Sequence, residues 1–225
     1  MAELIPHVLV SLVALGMGFA FWSADRESRT SLALAVGMGS IGVSILVNMV
    51  LHTPYSPHPA DTGWFALPEA IAIIAELEWL LRVRATVPVA AGMSVRAGDY
   101  GLRAGQLAGV VYLGLSLAFP ELRVSDFLQA TQNHGLAVFG RSGFWLFATP
   151  VLFATVAGLV SILLLLNRRP DRGEKIRVLA MALAVPFFVA GFVLPPSFAA
   201  LTTVIGEIIF LIGAVHYHVL QGQRG

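Results

Sequence analysis

Long apolar blocks separated by short polar stretches run the length of the chain. About 20 apolar residues in helical conformation cross a hydrocarbon layer of roughly 30 Å, and this block length sets the reading. The first helix is expected from Leu4 to Trp22, ending in the polar run Ser23 to Thr30 with Asp25, Arg26, Glu27 and Arg29. The second, Ser31 to His52, carries no charge. Thr53 to Pro68 contains Pro54, Pro57, Pro59, Gly63 and Pro68, which predicts an ordered but non-helical surface loop. Further helices are expected at Ala66 to Arg84, Ala104 to Pro120, Phe144 to Leu166, Val178 to Leu194 and Phe198 to Leu220, with Pro195 and Pro196 turning the chain between the last two. Between Glu121 and Gly140, Ser125 followed by Asp126 to His134 and Gly135 has the cap residues of a short interfacial helix. The expected fold is an all-α membrane protein, a single domain over residues 1–225 built as a seven-transmembrane-helix bundle.

The third helix strains this pattern, because it holds Glu69, Glu76, Glu78, Arg82 and Arg84. Loop charge decides in its favour, since short cytoplasmic loops carry the excess of Lys and Arg. If the third helix spans, twelve basic residues fall inside: Arg26, Arg29, Arg82, Arg84, Arg96, Arg103, Arg168, Arg169, Arg172, Lys175, Arg177 and Arg224. Only Arg123 and Arg141 remain outside. If it does not span, the best division is ten to four. The expected topology therefore has the N-terminus outside and the C-terminus in the cytoplasm. The opening Met-Ala-Glu has no Lys or Arg ahead of the apolar run, so that run is read as a helix rather than a cleaved signal.

Composition agrees: 57% of the 225 residues are hydrophobic and 12% charged, against roughly 25% charged in a soluble domain. A net charge of +1, with the positive residues in loops, gives no footprint for nucleic acid. The absence of cysteine excludes disulfides and thiolate metal sites. The dominance of Arg over Lys, with Ala, Leu, Val and Gly, suggests a bacterial, GC-rich genome, and hence the bacterial inner membrane. Trp22, Trp64, Trp79 and Trp145 fall near helix ends and fit an aromatic belt, Trp79 least well.

An ionisable group at membrane depth costs about 2.5–3.5 kcal/mol on insertion scales and is a functional candidate by default. Glu76 lies near the middle of the third helix and Glu207 near the middle of the seventh. Glu69, seven residues before Glu76, shares its face about 10 Å nearer the outside. Asn48 and His52, four apart on the second helix, share another face in its outer third. These five residues are the expected ligand-binding set. The bland alternative is that they bond across helices to hold the bundle, where such bonds average about 0.6 kcal/mol. Glu78 is expected to pair with Arg82 at i+4. Pro150 and Pro186 are positions where the fifth and sixth helices can kink.

His7, His52, His58 and Glu69 gather on the outer side with donors that suit zinc, but their spacing demands no metal and none is assigned. His216 and His218 lie at the inner end, most of a hydrocarbon thickness away. A retinal Schiff base needs a lysine in the last helix, and the only lysine is Lys175 in an inner loop. No phosphate-binding loop, nucleophile elbow or paired His-Glu zinc motif occurs. No catalytic residue and no cofactor is assigned.

Seven helices, an outer polar pocket, and a last helix leaving as His216-Tyr217-His218 toward Arg224 resemble the N-terminal seven-helix sensor modules of bacterial signalling proteins. Such modules are joined to class III adenylate or guanylate cyclases or to histidine kinases. The resemblance implies a receptor that binds a small or lipophilic ligand and signals through the seventh helix. Its partners would be the bilayer, a cytoplasmic output domain and a second copy of the chain. No output domain lies before Gly225, so the output is expected from a continuation of the gene or from a partner. Two other readings stand beside it: a membrane enzyme or proton-coupled transporter using Glu76 and Glu207, and a structural subunit of a larger membrane complex.

Overall fold

The computed structural model describes residues 4–51, 64, 66–85 and 93–119, and, further on, 156, 160, 179, 180, 182–184, 186, 187, 190, 194, 198, 201, 202, 204–210, 212 and 213. Among these the structure is all-helical, without strands. Four helices are continuous: α1 (Leu4–Ala24), α2 (Arg29–Leu51), α3 (Ala66–Ala85) and α4 (Met93–Ala118). Their 21, 23, 20 and 26 residues correspond to about 30–39 Å at ~1.5 Å per residue. Residues 179–190 and 198–213 are helical wherever they are described, and Leu194, between them, is a bend whose N–H donates to the Ala190 carbonyl at 3.0 Å. The expected fifth helix is described only at Val156 and Val160, and the expected interfacial helix, most of the Pro-rich loop and the loop at 167–177 lie outside the described residues.

Helix ends follow local chemistry. Ser28 caps α2: its Oγ accepts the Ser31 N–H at 3.3 Å, while the Asp25 carboxylate accepts the Ser28 N–H at 3.0 Å. The four-residue turn between α1 and α2 is thereby closed by its own side chains. One boundary differs from expectation. α4 begins at Met93, eleven residues before the expected Ala104. Pro88 and Gly92 precede it and Pro120 follows, and nothing between them breaks a helix. The polar turns with Arg96, Asp99 and Arg103 extend the helix where a reading of apolar length sees a loop.

Neighbouring helices pack antiparallel in chain order, α1 on α2, α2 on α3, α3 on α4. Small residues set the spacing. A Cβ on Gly18 would stand 2.9 Å from the Ala35 carbonyl oxygen and 3.0 Å from the Gly39 nitrogen. At Gly42 it would meet Leu15 Cγ at 2.7 Å, beside a hydrogen bond from Ser11 Oγ to the Gly42 carbonyl at 2.8 Å. Close backbones of this kind are how helices adhere where apolar burial gives no drive. The buried positions of α4, Gly98, Leu102, Gly105, Gly109, Tyr112 and Ser116, alternate by four and three, the spacing of a packed helix seam.

Apolar residues form most of the core, a few polar side chains are buried among them, and further apolar residues cover the outer faces. Ser11, Ser31, Ser44, Ser116 and Glu207 are buried, whereas Leu9, Phe19, Val36, Leu107, Val110 and Ile212 are exposed. The expected all-α architecture is present. By length and apolarity alone, one helix among the described residues, Arg29–Val47, is sufficient to cross a membrane, and Val8–Ala24 is a shorter apolar helix. α3, with Glu69, Glu76, Glu78 and Arg82, carries too many charges to pass the same test.

Gly18→Ala should lower the unfolding free energy by about 1–3 kcal/mol, because the methyl group meets backbone rather than a movable side chain. Gly16→Ala, with nothing within 4 Å of its added Cβ, should be neutral or stabilising by up to about 1 kcal/mol. Thermal melting of the two variants in the same detergent measures the difference.

Candidate functional site

α3 carries the polar groups, and each finds a different environment. Glu69, in the first turn, accepts hydrogen bonds from Ser44 Oγ of α2 at 3.4 Å and from the Tyr112 hydroxyl of α4 at 2.5 Å. One carboxylate thus joins three helices. Ala66 and Ala70 pack around Tyr112, so the phenol reaches Glu69 across small side chains. Ser116, one turn beyond Tyr112 on the same face, is 1% exposed, and its hydroxyl has no hydrogen-bond partner among the described residues.

Two turns further along α3, Glu76 lies against Gly37, whose added Cβ would stand 3.1 Å from Glu76 Cγ. The register is antiparallel and spaced by seven on both helices: Ser44 meets Glu69, and Gly37 meets Glu76. Glu207 lies on the helical segment 204–210. It is 1% exposed, and neither of its carboxylate oxygens has a hydrogen-bond partner among the described residues. A buried polar atom without a partner costs about 1–3 kcal/mol, more when it carries charge. One turn along, Trp79 meets Phe210 edge-on at 5.3 Å between ring centroids.

Glu78 faces elsewhere. It pairs with Arg82 at 2.7 Å and with Arg103 of α4 at 3.2 Å, and Gln106 Nε2 donates to it at 3.2 Å. Gln106 Oε1 also accepts from Arg103 at 2.8 Å. The expected i+4 pair is present, enlarged into a clasp between α3 and α4. Its arginines are partly exposed, so it contributes little to stability and serves mainly to fix register.

Of the five expected ligand-binding residues, Glu69 and Glu76 lie two turns apart on the face of α3 that meets α2, and Glu207 is buried on segment 204–210, whose Phe210 packs on Trp79 of α3. Asn48 is helical on α2, one turn beyond Ser44; its side chain, and the whole of His52, lie outside the described residues. Sequence reasoning missed Ser44, Tyr112 and Gly37. Ser44 was visible in principle, as the residue four before Asn48 on the same face. Tyr112 carried only its hydroxyl in an apolar helix as a signal. Among the tryptophans, Trp22 and Trp64 are exposed, Trp22 with the Arg26 guanidinium over its ring at 4.4 Å, whereas Trp79 is 1% exposed and belongs to the core. Trp145, His7, His58, His216 and His218 offer no described side chain. No group of three or more metal-ligating side chains gathers among the described residues.

Comparison of the chain with protein families, with curated proteins and with solved structures finds no match. The site therefore has to be read from its own chemistry.

Tyr112→Phe removes the donor to Glu69 while leaving the ring in place. It should cost about 0.6–1.7 kcal/mol, the range of interhelical side-chain bonds in membranes. A double-mutant cycle with Glu69→Gln, read by unfolding in mixed detergent, should return a coupling of that size. Additive single effects would show that the bond holds nothing.

Proposed function

We propose that the chain is a seven-helix bundle of the bacterial inner membrane, N-terminus outside and C-terminus cytoplasmic, and that it acts as a receptor module. A small or lipophilic ligand reaches the polar core from the outer side between α2, α3 and α4, and shifts the last helix relative to the cytoplasmic end. The observation that carries this reading is Glu207: a fully buried carboxylate without hydrogen-bond partners among the described residues, on the last helix and beside α3. A ligand with N–H or O–H donors satisfies it in one helix arrangement better than in another, and such a difference in affinity is what a signal requires. Asn48 and His52 are proposed to line the outer mouth, next to Ser44 and Glu69. The apolar outer faces of α1, α2 and α4 support the bilayer as the surrounding medium. Glu76 and Glu207 together favour a second reading, proton-coupled transport, in which the pair carries protons.

The lack of cysteine makes single-cysteine labelling clean. In intact cells, Trp64→Cys should react with a membrane-impermeant maleimide, and Glu27→Cys should react only after lysis. The reverse pattern overturns the topology. For the receptor reading, the purified bundle is melted with a panel of small amines, carboxylic acids and amphiphiles. At least one should stabilise it, should lose at least about tenfold in affinity with Glu69→Gln or Glu207→Gln, and should change the distance between spin labels at Leu107→Cys and Ile212→Cys. Stabilisation that survives both substitutions, or leaves the distance unchanged, removes the pocket or the signalling role respectively.

A further inference from the structure

We infer that Arg96, Tyr100 and Arg103, on the outward face of α4 at its cytoplasmic end, hold the phosphate of an anionic phospholipid. The inference rests on the bilayer reading above and adds a ligand outside the polar core. The three residues are spaced by four and three and all are exposed, Tyr100 by 73%. Such spacing puts them on one helix face. The same face continues through Leu107, Val110, Val111, Gly114 and Leu117, all exposed, opposite the buried seam of Leu102, Gly109 and Tyr112. A face suited to acyl chains thus runs without a break into two arginines and a phenol. Length places them at headgroup level. Counted down from Ala118, a hydrocarbon core of about 30 Å ends near Asp99. Arg96 stands beyond that boundary and Tyr100 at it, where aromatic rings anchor. Arg103 starts about 6 Å inside and reaches the same level by extending its side chain.

The second observation is the state of the Arg103 guanidinium. Its Nη1 donates to Glu78 at 3.2 Å and to Gln106 at 2.8 Å, which fixes the orientation of the group. A guanidinium has five N–H donors, and those on Nε and Nη2 have no acceptor among the described residues. The side chain is nevertheless 61% exposed, so the unused edge is open to a ligand. The Arg96 side chain makes no ion pair or hydrogen bond among the described residues. One fixed fork and one unengaged arginine, about 10 Å apart along the helix, close on a single phosphate beside Tyr100. Charge agrees. Arg82, Arg96 and Arg103 outnumber Glu78 and Asp99 at this end, and Glu78 is already shared by Arg82 and Arg103. The phosphate belongs to a lipid rather than to a soluble anion, because the apolar continuation of the face takes up the acyl chains and basic residues at this depth meet anionic headgroups.

The test uses the full chain in phosphatidylcholine nanodiscs with increasing fractions of phosphatidylglycerol, read by thermal melting and by the lipid retained in native mass spectrometry. Phosphatidylglycerol should raise the melting temperature and stay bound, and inorganic phosphate added to pure phosphatidylcholine discs should do neither. Arg96→Gln should weaken retention at least about tenfold, as loss of a charge-assisted phosphate contact implies. Arg103→Lys keeps the charge but loses the fork, and should weaken retention as well. Arg26→Gln, on the exposed α1–α2 turn, should leave retention unchanged. Equal losses at Arg96 and Arg26 mean a diffuse attraction of anionic lipid and overturn the inference. Equal stabilisation by inorganic phosphate overturns it too, as does retention that survives Arg96→Gln combined with Arg103→Lys. Both leaflets of a nanodisc carry the same lipid, so the result does not depend on the orientation of the chain. A reversed maleimide pattern in cells therefore overturns the topology alone, and a lost phosphatidylglycerol response with the expected maleimide pattern overturns the lipid site alone.

Discussion

Gly37 leaves so little space between α2 and α3 that an added Cβ would stand 3.1 Å from Glu76 Cγ. The rest of the polar core depends on such closeness. Seven residues along the same face of α2, Ser44 comes near enough to donate to Glu69. On the other flank, Gly109 packs on Ile74 with 3.3 Å to its added Cβ, and this places Tyr112 one turn further along α4 within reach of the same carboxylate. Larger residues at Gly37 or Gly109 would separate the helices, and the donors would fall short of their acceptors. Helix packing and polar satisfaction are thus one problem here, solved by small residues placed opposite acids.

α3 then presents three solutions to the cost of an acidic side chain inside a helical bundle. Glu69 is satisfied by neutral hydroxyl donors from both neighbours, which leaves its charge diffuse but bonded. Glu78 meets arginines near the surface, where all three side chains stay partly exposed. Glu76 is the third case: it lies against Gly37 of α2, which offers it neither a hydroxyl nor a guanidinium.

The sequence carried much of this. Long apolar blocks located α1, α2 and α3 to within two residues at each end, because a spanning length and a helix length coincide there. α4 escaped that coincidence: its first three turns, with Arg96, Asp99 and Arg103, are helical without being apolar. The spacing of seven between Glu69 and Glu76 exposed their common face, and the i+4 rule found Glu78 with Arg82. Partners from other helices were beyond reach, because periodicity fixes which residues share a face but not which face meets which. Tyr112 and Gly37 acquire meaning only once α4 and α2 are laid against α3. Trp79 shows the same limit: the sequence sets it apart as the poorest fit to an aromatic belt, but only the fold shows that it is buried against Phe210.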